Sequence, residues 1–407
     1  MLQFPSTLRS SRLTPVLLVC TTLFSACAEA QRPDKPATAA TPPSATSAAS
    51  PALATKGAVA QTIAKGLEHP WAVAFLPEGR FLVTERPGRL RVIEADGRVQ
   101  PPVAGLPPIA AGGQGGLLDV ITDSAFAQNR TVYFCYAEPG SGNTNSTALA
   151  RARLSADNTR LEDVKVLFSQ QPKIASTAHF GCRIVERMVG GKPDGTLFLT
   201  LGERFSRRDD AQTLDNHHGK IVRVGKDGRV PQDNPFVGKA GALPEIWSYG
   251  HRNVQGATSA PDGTFWTNEH GAKGGDEINL PQAGKNYGWP VISHGVNYDG
   301  SKIGEGTSSK PGMEQPLYQW TPSIAPAGMT FLTSERYGAA WQGNLFVAAL
   351  KFKYLARLEL KDGKVVAEQK LLEDVNERLR DVRQGPDGLL YVVTDEANGK
   401  LIWVQPQ

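Results

Sequence analysis

From about residue 61 the chain is made of short runs of apolar, β-branched or alternating residues, each set off by turn residues, which is the pattern of β-strands. Four runs follow a Pro-Asp/Glu-Gly turn: Pro77-Glu78-Gly79 before RFLVTE, Pro193-Asp194-Gly195 before TLFLTLGE, Pro261-Asp262-Gly263 before TFWTNEHG and Pro386-Asp387-Gly388 before LLYVVTDE. Proline presets the φ with which a tight turn opens, and glycine accepts the positive φ with which it closes. Degenerate copies occur at Asn129-Arg130 before TVYFCYAE and at Gln342-Gly343-Asn344 before LFVAALK, which makes six. Several copies run into a further strand and turn, as in RLRVIEADGR, KIVRVGKDGR and YLARLELKDGK, with no long amphipathic helix between them. Strand groups recurring at roughly 40–60 residues predict an all-β, six-bladed β-propeller with four-stranded antiparallel blades. A β-sandwich would use similar strands but leaves the periodicity unexplained.

In a propeller the loops of one face surround a central channel, so residues just past comparable strands converge there. Those residues are Gln114, His179, Glu203-Arg204, His251-Arg252-Asn253, the 268–290 loop, Lys351, Arg378 and Arg380. The loop NEHGAKGGDEINLPQAGKNYGWP carries five glycines, the acidic pair Asp276-Glu277, and Tyr287 and Trp289. Glycine lets successive carbonyls turn toward one point, which suits a hard cation such as calcium. The plainer alternative is a surface loop with solvated acids. A single histidine is more often packed or solvated than catalytic, and an arginine pair is usually a solvated face, so the weight lies on their recurrence at equivalent blade positions.

With 42 Gly and 29 Pro in 407 residues, the composition is that of a turn-rich globular protein, and the net charge of +4 lacks the clustered basic stripe of a nucleic-acid binder. Residues 1–30 read as an export signal, with Arg9 and Arg12 before a short apolar run ending at Leu23-Phe24-Ser25-Ala26-Cys27. Small residues before Cys27 suit a bacterial lipoprotein signal, and Ala28-Glu29-Ala30 an ordinary signal peptidase. Residues 31–58 form a Pro/Ala/Ser/Thr linker that cannot bury a core, leaving 59–407 for the propeller. The expected location is the periplasm, free or anchored by lipid to the outer membrane. Cys135 and Cys182 are the only cysteines of the body, and a disulfide and two separate buried thiols are both open.

GGQGGLLDV (112–120), HFGCRIV (179–185), GHRNVQG (250–256), EHGAKGGDEINL with GKNYGWP (269–290), the LK of AALKFKYL and RLRDV (378–382) together resemble the pyrroloquinoline-quinone (PQQ)-dependent sugar dehydrogenases, the soluble glucose and aldose sugar dehydrogenase family. The resemblance covers about residues 61–405. It implies a planar ortho-quinone cofactor bearing three carboxylates, clamped by Lys351, Arg378 and Arg380, with Gln114, Arg252, Asn253, Tyr298, Ala349, Leu350 and Leu379 also at the cofactor. Arginine supplies the forked donors that carboxylates need. Tyr318 and Trp320 resemble the family's aromatic contacts. Carbonyls of Gly271 and Ala272 would hold a calcium acting as Lewis acid on the quinone oxygen. Glu277 with the carbonyl of Tyr287 resembles a separate structural calcium site. His179 matches the general base, Arg252 the cation over developing charge, and Gln114 the group orienting substrate and base. Where the glucose-specific branch commonly has Asp before the base, this chain has Ala178, so the base must find its orienting partner elsewhere.

The implied activity is oxidation of aldoses at the anomeric carbon to lactones, with electrons passed to an external acceptor, by a monomer that binds no nucleic acid. Two other classes are compatible with the fold: a calcium-dependent propeller hydrolase of lactones or esters, and a binding propeller without cofactor. The hydrolase would have no use for three cations, and the binding module none for His179 beside them.

Overall fold

The computed structural model describes residues 57–407; the export signal and nearly all of the expected linker lie outside them. Strand structure begins at Ala58, one residue inside the linker boundary expected from composition. Among the described residues, twenty-four strands form six separate four-stranded sheets, each wholly antiparallel, as the six-fold repeat predicts. Blade I runs from Pro70 to Pro102, blade II from Leu117 to Ser169, blade III from Gly181 to Tyr249, blade IV from Val254 to Trp320 and blade V from Pro326 to Leu371. Blade VI takes Leu379–Gln384, Leu390–Thr394 and Gly399–Pro406 and is completed by the first strand, Ala58–Leu67, which pairs with the last from Ala58↔Pro406 to Leu67↔Gly399.

At Pro261-Asp262-Gly263 and Pro386-Asp387-Gly388 the turns form for the reason the sequence suggests, whereas Pro193-Asp194-Gly195 falls inside the strand Lys192–Leu201, whose hairpin turns at Gly190-Gly191. Gly195, Gly263 and Gly388 sit at φ of 84°, 87° and 81°. The preceding aspartates accept the backbone N–H two residues on: Asp194 from Thr196, Asp262 from Thr264 and Asp387 from Leu389. The first strand of each blade is innermost and largely buried; those of blades I and II, PWAVAF and LLDVIT, are mostly apolar, whereas GCRIVERMV and LRDVRQ carry charged residues into the centre. Apolar clusters bridge neighbouring blades, one joining blades I to III and another joining VI, I and V. Cys135 of blade II and Cys182 of blade III form a disulfide with Cα atoms 5.8 Å apart, closing the alternative of separate thiols.

The central tunnel is plugged by charge rather than by apolar side chains. Arg183 on the inner strand of blade III bridges Asp119 of blade II (3.3 Å) and Asp381 of blade VI (2.9 Å), and Arg383 bridges the same two carboxylates at 2.6 and 3.0 Å. Arg183 also donates to the carbonyls of Gln255 and Arg380 and lies 4.0 Å over the Trp71 ring. Each buried charge therefore has an opposite partner and further hydrogen bonds, the condition under which burial is tolerated. On one side of the plug a cavity of about 350 Å³ is lined by apolar and hydroxyl side chains, with Glu186 and Arg383 as its charged groups. On the other side lies a basic cavity, and the residues picked out above gather there.

Candidate active site

His179 precedes the inner strand of blade III and is held in the left-handed region, φ 50°, with its side chain almost fully buried. Gly202 makes this possible, because a Cβ there would meet the His179 carbonyl oxygen at 2.0 Å. The imidazole Nδ1 lies 2.7 Å from Glu203 Oε2, and the backbone N–H of His179 donates to Gln114 Oε1 at 2.8 Å. Glu203 is thus the orienting carboxylate that Ala178 does not supply. It fixes the proton on Nδ1 and leaves Nε2, which has no hydrogen-bond partner among the described residues, to accept. Burial pushes the His179 imidazole below its ordinary value, against the opposing pull of Glu203, so the ring is neutral near pH 7. Arg204, fully buried over Phe180, donates to the carbonyls of Ala178, Ser176 and Asn145 and to Asn145 Oδ1, and so clamps the segment that carries the base.

A cavity of about 250 Å³ is lined by Trp71, Arg86, Gln114, Asn253, Leu350, Arg378, Arg380 and Asp395, among others; Gln114 and Phe180, which flank the base, reach it, whereas His179 and Arg252 do not themselves line it. Arg380 is buried, donates to Gln255 Oε1 (2.9 Å) and Asp395 Oδ2 (3.2 Å), and keeps its Nε without a partner. Burial pulls it down to about 10, so it is charged at neutral pH. Asp395 is the hub of the cluster: besides Arg380 it meets His69 Nδ1 at 2.8 Å, Arg86 at 3.7 Å and Arg378 at 3.9 Å. Arg86 and Asp395 escape the sequence reading, although the signal was present. They stand just past the strands RFLVTE and LLYVVT, the positions where loop residues were expected to converge.

The remaining expected cofactor residues divide. Asn253 and Leu350 line the cavity. Lys351, expected in the clamp, is exposed and does not line the cavity; its Nζ lies 5.0 Å from the Phe352 ring centroid. Ala349 and Leu379 are fully buried in apolar clusters, so only their backbone can face a ligand. Tyr318 and Trp320 are not brought to the cavity. Both donate to Glu368 (2.9 and 3.0 Å) in a crevice also lined by Phe352 and Tyr354, on the outer strand of blade IV against blade V.

Arg252 connects the cavity to the glycine-rich loop. Its Nη1 donates to the carbonyls of Gly271 (2.7 Å) and His270 (3.2 Å), its Nη2 lies 3.3 Å from the Tyr298 hydroxyl, and its Nε is buried without a partner. Asp276 holds the loop itself by accepting from Gly271 N, Ser323 Oγ and Ala325 N. Behind His270, a small pocket receives Glu269, Glu277, Tyr287 and Trp289. His251, stacked on Tyr287, donates to Glu269, and Asn279 donates to both glutamates, leaving its own Oδ1 buried and unpartnered. Burial, with Glu269 beside it, pushes Glu277 up to about 8. Glu269 and Glu277 both line this pocket, and carboxylate oxygens are the type of donor a hard cation takes. Among the described residues, no group of three or more His, Cys, Asp or Glu side chains converges as a metal cluster.

One mouth of the six-bladed propeller thus holds a polar, arginine-rich cavity, and the residues that flank a carboxylate-backed imidazole reach into it, an arrangement suited to an anionic ligand and proton transfer. Residues 67–403 match the Glucose / Sorbosone dehydrogenase family, and the chain belongs to that family. It is 45% identical over 344 residues to the aldose sugar dehydrogenase YliI of Escherichia coli K12, covering 84% of this chain and 91% of that protein. Among solved structures it is similar to a glucose dehydrogenase (49% identity, TM-score 0.82, 86% of this chain and all of that one). A PQQ-bound aldose sugar dehydrogenase from Streptomyces coelicolor shares 27% identity at a TM-score of 0.69, covering 88% of this chain and all of that one.

Proposed function

We propose that this protein is a quinoprotein aldose dehydrogenase that oxidises sugars at the anomeric carbon to lactones, with PQQ and calcium as cofactors. The observation that carries the reading is the pairing of His179 with Glu203 together with a cavity walled by Arg86, Arg378 and Arg380, which Gln114, bonded to the His179 backbone, also lines. That cavity fits the cofactor on chemical grounds. Its arginines outnumber the single carboxylate Asp395, and Arg380 keeps a buried, unpartnered Nε, which a polycarboxylate would complement. When bound, the quinone supplies the hydride acceptor and calcium polarises it as a Lewis acid.

The chain's own residues do the rest. His179 Nε2 accepts the proton of the anomeric hydroxyl, while Glu203 holds Nδ1–H and stabilises the imidazolium that forms. Gln114 fixes the backbone of the base through its Oε1, which leaves its amide N–H groups for the sugar. Arg252 brings positive charge to the Gly271 carbonyl and the loop beneath. The carbonyls of Gly271 and Ala272 are the candidate calcium ligands at the cofactor, and Glu277 with Glu269 and the Tyr287 carbonyl are those of the structural site. The same reading puts the mature monomer outside the cytoplasm. Retention of Cys27→Ser in the membrane fraction, unchanged from wild type, would refute the lipid anchor.

The test of function is dye-linked oxidation of a panel of aldoses by the purified protein, with PQQ and calcium added together, singly or not at all. Turnover that needs both supports the reading. Turnover with a nicotinamide cofactor instead, or none under any combination, sinks it.

A further inference from the structure

Among the described residues, one exposed aromatic ring stands next to the base. Phe205 is 54% exposed, and its ring meets the His179 imidazole edge to face, centroids 5.3 Å apart and planes at 83°. The fold does not bury this ring; it turns it out. Arg204 and Phe205 are both non-glycine residues at positive φ, 65° and 68°. The N–H of Ser206 donates to the Arg204 carbonyl at 2.8 Å, which makes Phe205 the centre of a γ-turn of the rare, strained hand. The turn is fixed from both sides: Arg204 is anchored beneath by its buried guanidinium, and the Phe205 N–H donates to Glu203 Oε2, the oxygen that also holds His179. Strain of this kind persists where surrounding structure over-determines it, and it clusters at functional sites. A bulky apolar side chain at such a position gains nothing from burial, so its use lies in what it meets outside.

A second exposed ring faces the same mouth. Tyr298 is 63% exposed, its hydroxyl 3.3 Å from Arg252, and its loop is tied to the Phe205 loop by an Arg208–Asn297 hydrogen bond of 3.3 Å. Pyranose rings carry patches of C–H bonds on their faces between equatorial hydroxyls, and an aromatic face is the surface such patches pack on. We infer that Phe205 is a specificity-determining residue, the platform on which the C–H face of an aldopyranose packs while its anomeric hydroxyl reaches His179. This rests on the proposed sugar oxidation and adds the ring that selects cyclic aldoses over polyols.

The test uses Phe205→Ala, Phe205→Trp and Phe205→Gly in the full chain with PQQ and calcium. Because Phe205→Ala keeps the backbone N–H on Glu203 and the Glu203–His179 bond while removing only the ring, KM for D-glucose and D-xylose is expected to rise about three- to tenfold, the range of one aromatic contact, with kcat within about twofold. PQQ affinity, read by absorbance titration, should be unchanged. Phe205→Trp should restore KM. Phe205→Gly should raise KM as much as alanine does while melting no lower than wild type, since glycine tolerates the positive φ. An unchanged KM in Phe205→Ala overturns the inference, as does a fall in kcat at constant KM, which would make the ring a support for the imidazole. Saturation-transfer NMR of D-glucose on cofactor-free protein reads the contact without turnover. Ring-proton signals that vanish in Phe205→Ala would uphold the platform even if PQQ gave no oxidation, and signals that persist would overturn it even if oxidation occurred.

Discussion

Replacing Asp395 by asparagine removes the one carboxylate that faces Arg86, Arg378, Arg380 and His69 together. Burial works against ionisation of this group, yet Arg380 above all, then His69, Arg86 and Arg378, bring it from an ordinary 3.8 down to about 2. At about 1.4 kcal/mol per pH unit, that depression contributes about 2.5 kcal/mol to stability at neutral pH. Loss of a buried partner that leaves its arginine unpaired costs about 3–5 kcal/mol, which sets the upper end. The sign follows from the direction: a depressed carboxyl stabilises fully above its unfolded value, and the contribution is lost as pH falls toward 2. About half of it is gone by pH 3. Urea unfolding of the cofactor-free protein, followed by tryptophan fluorescence at several pH values, should therefore show Asp395→Asn less stable by about 2–5 kcal/mol at pH 7, with the gap narrowing in acid. A variant within about 1 kcal/mol of wild type at pH 7, or a gap that does not narrow, would refute the electrostatic argument.

Three further outcomes are expected. His179→Ala should slow single-turnover reduction of bound quinone by about 10²–10⁴-fold with PQQ binding intact, and Glu203→Gln, which keeps the shape but not the charge, by about tenfold. Arg380→Ala should weaken PQQ binding far more than Lys351→Ala in the same absorbance titration, because Arg380 is buried in the cavity wall and Lys351 is solvated. Glu277, raised to about 8, should make the calcium-free protein lose stability as pH climbs from about 4.5 through 8. Both Glu277→Gln and added calcium should flatten that slope in thermal melts, and a slope that neither changes would remove Glu277 from the cation site.

The blades were legible because each turn writes its own chemistry into three adjacent residues, and a period of several turns outlasts any single ambiguous strand. Site residues were legible only where a motif or a strand end marked them. His179 could be picked out, but its bond to Glu203 spans two strands of one blade, and no local pattern announces a partner 24 positions away. Asp395 and Arg86 were passed over because they read as the polar ends of strands, and their meaning comes from blades VI and I being neighbours in space. Tyr318 and Trp320 had the right residue type near the right loop. Their strand is the outermost of its blade, which turns their polar edges to Glu368 rather than to the channel. The cysteines show the same limit, since pairing across blades II and III depends on a distance that spacing does not carry.

The seam of the ring sets the order in which the molecule can come into being. Gly399–Pro406 lies between Leu390–Thr394 and Ala58–Leu67 in its sheet, so the earliest strand has nothing to pair with until the latest one arrives. During synthesis five blades can form while both ends of the ring stay open, and joining Ala58 to Pro406 then closes nearly the whole chain into one loop. Such a non-local contact is slow to form and leaves unpaired strand edges in the meantime. Removal of Gly399–Gln407 would consequently release the first strand as well, and a chain that loses either Ala58–Leu67 or Gly399–Pro406 should fail as a whole rather than shed one blade.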